Sequence, residues 1–168
     1  MTALAAASGT TAESQRVARL SYFFPAHNEE ANLEALVDEA LGVLPTLADT
    51  FEIIAVNDGS RDASAAVLER LRAEFPFLRV VTHRRQRGIA DALRSASDAA
   101  SGDVFVFYPA DLQYLPEDIP ALVAPILAGE ADIVTGTKQG KYDKAFVSGI
   151  YNRLCRALFG VEVSDLNS

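Results

Sequence analysis

Several apolar runs of this sequence end in residues able to do ionic or hydrogen-bonding chemistry. Asp111 and Gln113, in Pro109-Ala-Asp-Leu-Gln113, offer a carboxylate and an amide oxygen. Hard oxygen ligands of this kind suit Mg²⁺ or Mn²⁺, which keep several waters and complete their shell from phosphate. A plain turn after an apolar strand explains the same D-x-Q equally well. Asp58 lies in Asn57-Asp-Gly-Ser60, where Gly59 is free to take a positive φ and the carboxylate can accept a hydrogen bond from a nucleobase N–H. Its bland alternative is a turn or N-cap residue for the next helix. Asn28, Glu29 and Glu30 follow the first run, where acidic groups suit the positive end of a helix whatever they bind. His83, near another strand end, reads as a packing or hydrogen-bonding residue.

Such residues act together only if the chain folds so that the strand ends meet. Short β-branched or aromatic runs alternate with longer amphipathic stretches, the pattern of a mostly parallel sheet covered by helices. Strands are expected at Arg19 to Pro25, Phe51 to Val56, Leu78 to His83, Asp103 to Tyr108 and Asp132 to Gly136. The near-continuous apolar character of the second and fourth predicts burial on both faces. Leu33, Leu36, Val37, Ala40 and Leu44 recur at helical spacing, as do Ala66, Val67 and Leu71, and then Ala90, Leu93, Ala96 and Ala100. A further helix is expected from Pro116 to about Leu127, stopping at Gly129, with Pro120 and Pro125 as obstacles inside it. The fold class is therefore α/β, a Rossmann-like, mostly parallel central sheet with helices on both faces. Ligands of such sheets bind beyond the carboxyl ends of the strands, where the polar residues above lie.

Composition narrows the partners. The chain has 168 residues, 49% of them hydrophobic, enough for one compact domain. Fifteen Lys and Arg against 23 Asp and Glu give a net charge of −8, which argues against a general nucleic-acid binder. Cys155 is the single cysteine, so no internal disulfide or cysteine-rich zinc site can form, which fits a cytoplasmic location. No stretch approaches the roughly 18 to 20 apolar residues of a membrane-spanning helix. Residues 1–16 are small and polar and read as a disordered tail, leaving 17–168 as the folded domain.

The motifs F-P-A-H-N-E-E-A-N-L, I-A-V-N-D-G-S-R-D-A-S, R-G-I-A-D-A-L and P-A-D-L-Q-Y-L-P-E-D-I stand in order along these elements. From about Leu20 to the C-terminus the chain resembles the family 2 glycosyltransferases, most of all the dolichyl- or polyprenyl-phosphate sugar synthases. The resemblance implies a GT-A fold and nucleotide contacts from Pro25, His27, Glu29 and Asp58, with His27 at a position where an aromatic residue stacks near the base. It implies a divalent cation, Mg²⁺ or Mn²⁺, held by Asp111 and Gln113, which are then also the catalytic residues. The family's metal motif reads D-A-D-L-Q; here Pro109 replaces the first aspartate and cannot ligate a metal.

The implied reaction is a single displacement with inversion, from a nucleotide-diphosphate sugar to a polyprenyl phosphate. A phosphate monoester needs no general base, because its second pKa is about 6 and it is already a dianion near neutral pH. An anionic acceptor calls for cations. The stretch from Lys138 to Arg156 supplies Lys138, Lys141, Lys144, Arg153 and Arg156 against Asp143. Of these, Lys138, Lys141 and Arg153 are the candidates for the lipid-phosphate acceptor. The same stretch carries an apolar helical face through Phe146, Ile150, Leu154 and Leu158, suited to the sheet or to a membrane surface at the cytoplasmic side. A non-catalytic nucleotide- or lipid-phosphate-binding domain of the same fold is the alternative, with Pro109 in its favour. Related sequences continue beyond Ser168, so a fragment of a longer protein is expected.

Overall fold

The computed structural model describes residues 16–110 and 116–136. Its elements are β1 (Val17–Ala26), α1 (Leu33–Leu47), β2 (Ala48–Asn57), α2 (Ser64–Glu74), β3 (Leu78–Thr82), α3 (Ile89–Ala99), β4 (Val104–Phe107), a 3₁₀ turn (Pro116–Asp118) and α4 (Ile119–Leu127). The strands form one sheet in the order β3-β2-β1-β4, and every pair is parallel.

The strand order dictates where the helices go. From β1 to β2 to β3 the chain steps one way along the sheet, and β4 then returns to the far side of β1. Right-handed crossovers therefore place α3 on the face opposite α1 and α2. Burial agrees. Leu20, Tyr22, Phe24 and Ala26 of β1, with Ile53 and Ala55 of β2, pack against Leu33, Leu36, Val37, Ala40 and Leu44 of α1, Leu68 and Leu71 of α2, and Ile119 and Val123 of α4. On the other face Phe23, Ile54 and Val56 meet Ala92 and Ala96 of α3. The small alanines let this helix lie close to the sheet. Successive strand residues thus serve opposite cores, which is why β1 and β2 read as almost unbroken apolar runs.

The elements run slightly longer or shorter than hydropathy predicts. β1 and β2 extend back to Val17 and Ala48, which pair with each other and are buried in the main core, because ladder hydrogen bonds carry the strands through the exposed Ala18, Asp49 and Thr50. Arg16, assigned to the tail by composition, bonds Asp49 at 2.8 Å and the Thr46, Pro45 and Ala48 carbonyls. The other tail positions lie outside the described residues. The helix expected from Pro116 begins as the 3₁₀ turn and becomes α4 at Ile119. Pro120 falls in the first turn, where a missing N–H costs nothing. Gly129 ends it at φ 69, with its own N–H donating to Ile126 O and that of Glu130 to Pro125 O.

The fifth strand is corrected. Residues 132–136 form no strand, and Ile133 is 83% exposed. A short β-branched run becomes a strand only with a ladder partner, and none pairs with it among the described residues.

A buried carboxylate fastens the amino-terminal end of the sheet. Glu52 of β2 is 6% exposed and accepts hydrogen bonds from Ser21 Oγ at 2.7 Å, Ser101 N at 2.7 Å, Ser101 Oγ at 2.6 Å and Arg79 at 3.0 Å. These partners come from β1, β3 and the turn before β4, so one side chain ties all the strands. Gly102 is required in that turn, since a Cβ there would lie 2.6 Å from Ser21 N. Burial by itself would raise the Glu52 pKa, but the bonds from Ser101, Ser21 and Arg79 outweigh it and hold it at about 2, against an ordinary 4.5. A depressed carboxylate stabilises the fold above its unfolded pKa, and the contribution is lost as pH falls through the folded value. Glu52→Gln should cost roughly 2–3 kcal/mol at pH 7. In urea melts the gap from the parent should close as pH falls from about 4.5 towards 2; a gap that is constant with pH contradicts this account.

Candidate active site

The opposite, carboxyl-terminal end of the sheet gathers the polar motifs. β1 and β4 are neighbours, but the chain leaves β1 through α1 on one face and reaches β4 through α3 on the other, so a crevice opens between their ends. A cleft of about 290 Å³ occupies this position. One wall is Pro25, Ala26, His27 and Glu29 after β1; another is Phe107, Pro109 and Ala110 after β4; Asp58, Gln86, Gly88 and Ile89 close it. A hollow of about 310 Å³ lies between α1 and the 3₁₀ turn, lined by Glu39, Gly42, Val43, Pro116 and Glu117. Despite its size, it draws on no strand end and collects none of the motifs.

Asp58 is the pivot of the cleft. Its carboxylate Oδ1 accepts from His83 Nδ1 at 2.7 Å and from Arg87 N at 2.9 Å, and Oδ2 accepts from Gly88 N at 2.8 Å. Burial would raise its pKa, but the bonds from His83, Gly88 and Arg87, with the electrostatic effect of His83, lower it overall, so it stays ionised. The other ring nitrogen of His83 meets Ser95 Oγ of α3 at 2.9 Å. Asp58 does not cap α2. That service comes from Asp62, which accepts from Ser64 N at 3.0 Å, and from Glu30, which accepts from Ala63 N at 2.6 Å.

Gly59 makes the arrangement sterically feasible. It sits at φ 68, and a Cβ there would overlap the backbone of Arg85 and Gln86. The loop before α3 thus rests directly on the turn after β2, which brings the Arg87 and Gly88 amides within reach of Asp58. Asn57 Oδ1 accepts from Ser60 N at 3.0 Å and shapes the same turn.

The loops after β1 and β2 interlock reciprocally. Asn28 N donates to Ser60 Oγ at 3.1 Å while Asn28 Oδ1 accepts from Arg61 N at 2.8 Å; Glu29 N donates to Ser64 Oγ at 2.9 Å and Glu30 N to Asp62 Oδ2 at 3.2 Å. Asn28 takes φ 60, a conformation asparagine tolerates better than most residues. Asn28 and Glu30 are therefore committed to joining the loops. Glu29 Oε2 accepts from Asn32 Nδ2 at 2.7 Å, yet the residue still lines the cleft. His27 Nδ1 lies 2.9 Å from the Asp58 carbonyl, which can only accept, so the proton belongs on Nδ1 and Nε2 is an acceptor, 3.3 Å from Asn28 Nδ2.

Of the residues singled out in the sequence, Pro25, His27, Glu29 and Asp58 meet in one cleft. Asp111, Gln113, Lys138, Lys141 and Arg153 lie outside the described residues. Among the described residues no group of three or more His, Cys, Asp or Glu could hold a metal, and no helix is long and apolar enough to cross a membrane. Sequence reasoning placed His83 correctly as a hydrogen-bonding residue but did not connect it to Asp58, 25 positions away. Gln86, in the loop between β3 and α3, and Phe107, an apolar residue of β4, were missed because neither residue type at its place signals a cleft.

Residues 21–155 match the sequence model of glycosyl transferase family 2. The chain belongs to this family. Among its curated relatives, the undecaprenyl-phosphate 4-deoxy-4-formamido-L-arabinose transferase of Shewanella sediminis is 33% identical over 90% of this chain and 46% of its own length. The dolichol-phosphate mannosyltransferase of Pyrococcus furiosus is 34% identical over 81% of this chain and 38% of its own. The chain thus spans about half, or less, of the length of these relatives. Among solved structures, Mycobacterium tuberculosis glucosyl-3-phosphoglycerate synthase, in complex with Mn²⁺, UDP and glucosyl-3-phosphoglycerate, is 28% identical with a TM-score of 0.58, covering 83% of this chain and 50% of that one. The parallel sheet with helices on both faces is the GT-A fold of this family.

Two glycines, one free and one confined, give a contrast within one protein. Gly42, inside α1, has no atom within 4 Å of the point where a Cβ would stand, so Gly42→Ala should raise stability by about 0.5–1 kcal/mol. Gly59→Ala should lower it by at least about 2 kcal/mol, through overlap and a positive φ. Thermal melts of the two variants check this; equal effects would show that the contact between the loops is not required.

Proposed function

We propose that this chain forms the donor-binding part of an inverting glycosyltransferase that moves a sugar from a nucleotide diphosphate to a polyprenyl phosphate. The observation that carries the reading is the cleft at the β1/β4 crevice, where an ionised and rigidly held Asp58 stands beside His27, with Phe107 and Ile89 as apolar walls. A fixed carboxylate suits the N–H edge of a base, and exposed apolar side chains suit the face of a ring. The names of the relatives favour a lipid phosphate as acceptor.

The residues of the described cleft do not form a cation site by themselves. Three N–H donors already engage Asp58, and Glu29 is bonded to Asn32. The carboxylate and amide of Asp111 and Gln113 fit Mg²⁺ or Mn²⁺ in chemistry, and they follow directly on Pro109 and Ala110, which line the cleft. The ion would neutralise charge on the departing pyrophosphate. Asp58 and His27 hold the base, and the loops interlocked by Asn28 and Glu30 keep that pocket in register. The acceptor phosphate oxygen forms a bond to the anomeric carbon on the side opposite the donor. The bond from that carbon to the diphosphate breaks, its electron pair leaves with the nucleotide, and no protein base is needed. Lys138, Lys141 and Arg153 are the proposed counter-charges for the acceptor, at the cytoplasmic face of a membrane.

Pro109 favours a second reading, a binding domain of the same fold without turnover. Thermal shift with UDP or GDP plus Mn²⁺ should raise the melting temperature of the parent and not of Asp58→Ala. Asp111→Ala should lose the part of the shift that depends on Mn²⁺. Absence of a shift with either nucleotide contradicts nucleotide binding itself. Transfer of labelled sugar to undecaprenyl phosphate by the intact protein supports the enzyme; binding without transfer, unchanged in Pro109→Asp, supports the second reading.

A further inference from the structure

We infer that His83 makes this site selective for a base whose pairing edge offers a single N–H donor, uracil rather than guanine. The inference rests on the reading of Asp58 as the acceptor for the base. A carboxylate has roughly four lone-pair positions, two on each oxygen. His83 Nδ1 and Arg87 N fill those of Oδ1, and Gly88 N takes one of Oδ2. One position remains, on Oδ2. The side chain of Asp58 is only 6% exposed although it lines the cleft, which agrees with a single point of access.

The bases differ in what they ask of a carboxylate. The pairing edge of guanine presents a ring N–H and an amino group side by side, and satisfying both takes two free acceptor positions. Uracil presents one ring N–H between two carbonyls, which matches one. Cytosine has a lone pair at that ring nitrogen and would face the carboxylate with repulsion. Gln86, also lining the cleft, carries an amide whose N–H can donate to a flanking carbonyl of uracil. The Arg87 and Gly88 amides are backbone groups that every side chain except that of proline leaves in place. His83 is thus the side chain that decides how much of Asp58 is open. Ser95 Oγ, 2.9 Å from the far ring nitrogen, orients it. Ser95 can donate to that nitrogen or accept from it, so His83 can point Nδ1–H at Asp58 whether or not the ring is charged.

Isothermal titration of the full chain with UDP, GDP and CDP in the presence of Mn²⁺ tests the inference. UDP should bind at least tenfold more tightly than GDP, with CDP weaker than UDP. His83→Ala frees a position on Oδ1, and the UDP preference over GDP should fall towards one. His83→Asn, whose amide N–H can stand where Nδ1–H stood, should restore it. A merely structural histidine would weaken both nucleotides alike and leave their ratio unchanged. GDP binding as tightly as UDP to the parent chain overturns the inference alone, and this needs no variant to fold. An unchanged ratio in His83→Ala also overturns it. Binding of none of the nucleotides overturns the reading of the site and this inference with it.

Discussion

A carboxylate placed at the buried end of a central strand must be answered by donors, or its desolvation would destabilise the fold. Asp58 is answered by a histidine from the end of β3 and by two backbone amides from the loop before α3. That single requirement orders much of the carboxyl-terminal side of the molecule. It draws the loop onto Gly59, where only a residue without a Cβ can be accommodated, and it links the ring of His83 to Ser95 on the helix behind the sheet. The same bonds that lower the pKa of Asp58 also leave it with little accessible surface. Preorganisation and selectivity have one physical source here, the filling of acceptor positions by groups of the protein itself.

The two ends of the sheet use buried carboxylates for different ends. Glu52 is surrounded by serine hydroxyls, an amide and Arg79, and its partners span every strand. It fastens the sheet and has no role in the cleft. Asp58 gathers loops instead of strands and keeps an edge in the cleft. The difference follows from position. At the amino-terminal end the chain turns back close to the neighbouring strands, so β1, β3 and the turn before β4 are all within reach. At the carboxyl-terminal end the connections after β1 and β3 leave towards opposite faces, which leaves a crevice for a ligand.

The interlock between the loops after β1 and β2 shows how the polar residues of a conspicuous motif can be engaged in holding loops together. Asn28, Glu30, Asp62 and Ser64 exchange side-chain and backbone bonds across the gap and satisfy amides at the start of the helices. Their polar character is accounted for by these bonds. Glu29 and His27, between them, are the members that also border the cleft.

By itself the sequence determined the strands β1 to β4, the helices between them and the α/β class, because alternating apolar runs and helical spacing are local properties. It also marked Pro25, His27, Glu29 and Asp58, through motifs at the ends of β1 and β2 that resemble those of family 2. Short-range pattern could not decide the run at 132–136, where β-branched residues suggest a strand but no ladder partner pairs with it among the described residues. Nor could it divide Asn28 from Glu29, adjacent polar residues with the same preference for a helix start. The tertiary structure alone brought His83 to Asp58 and the Arg87 and Gly88 amides to the same carboxylate. These contacts join positions 25 to 30 residues apart, and they depend on strand order and on a missing Cβ at Gly59. What a side chain can do is written in its type, whereas how much of its capacity remains for a ligand is settled only by the neighbours that folding supplies.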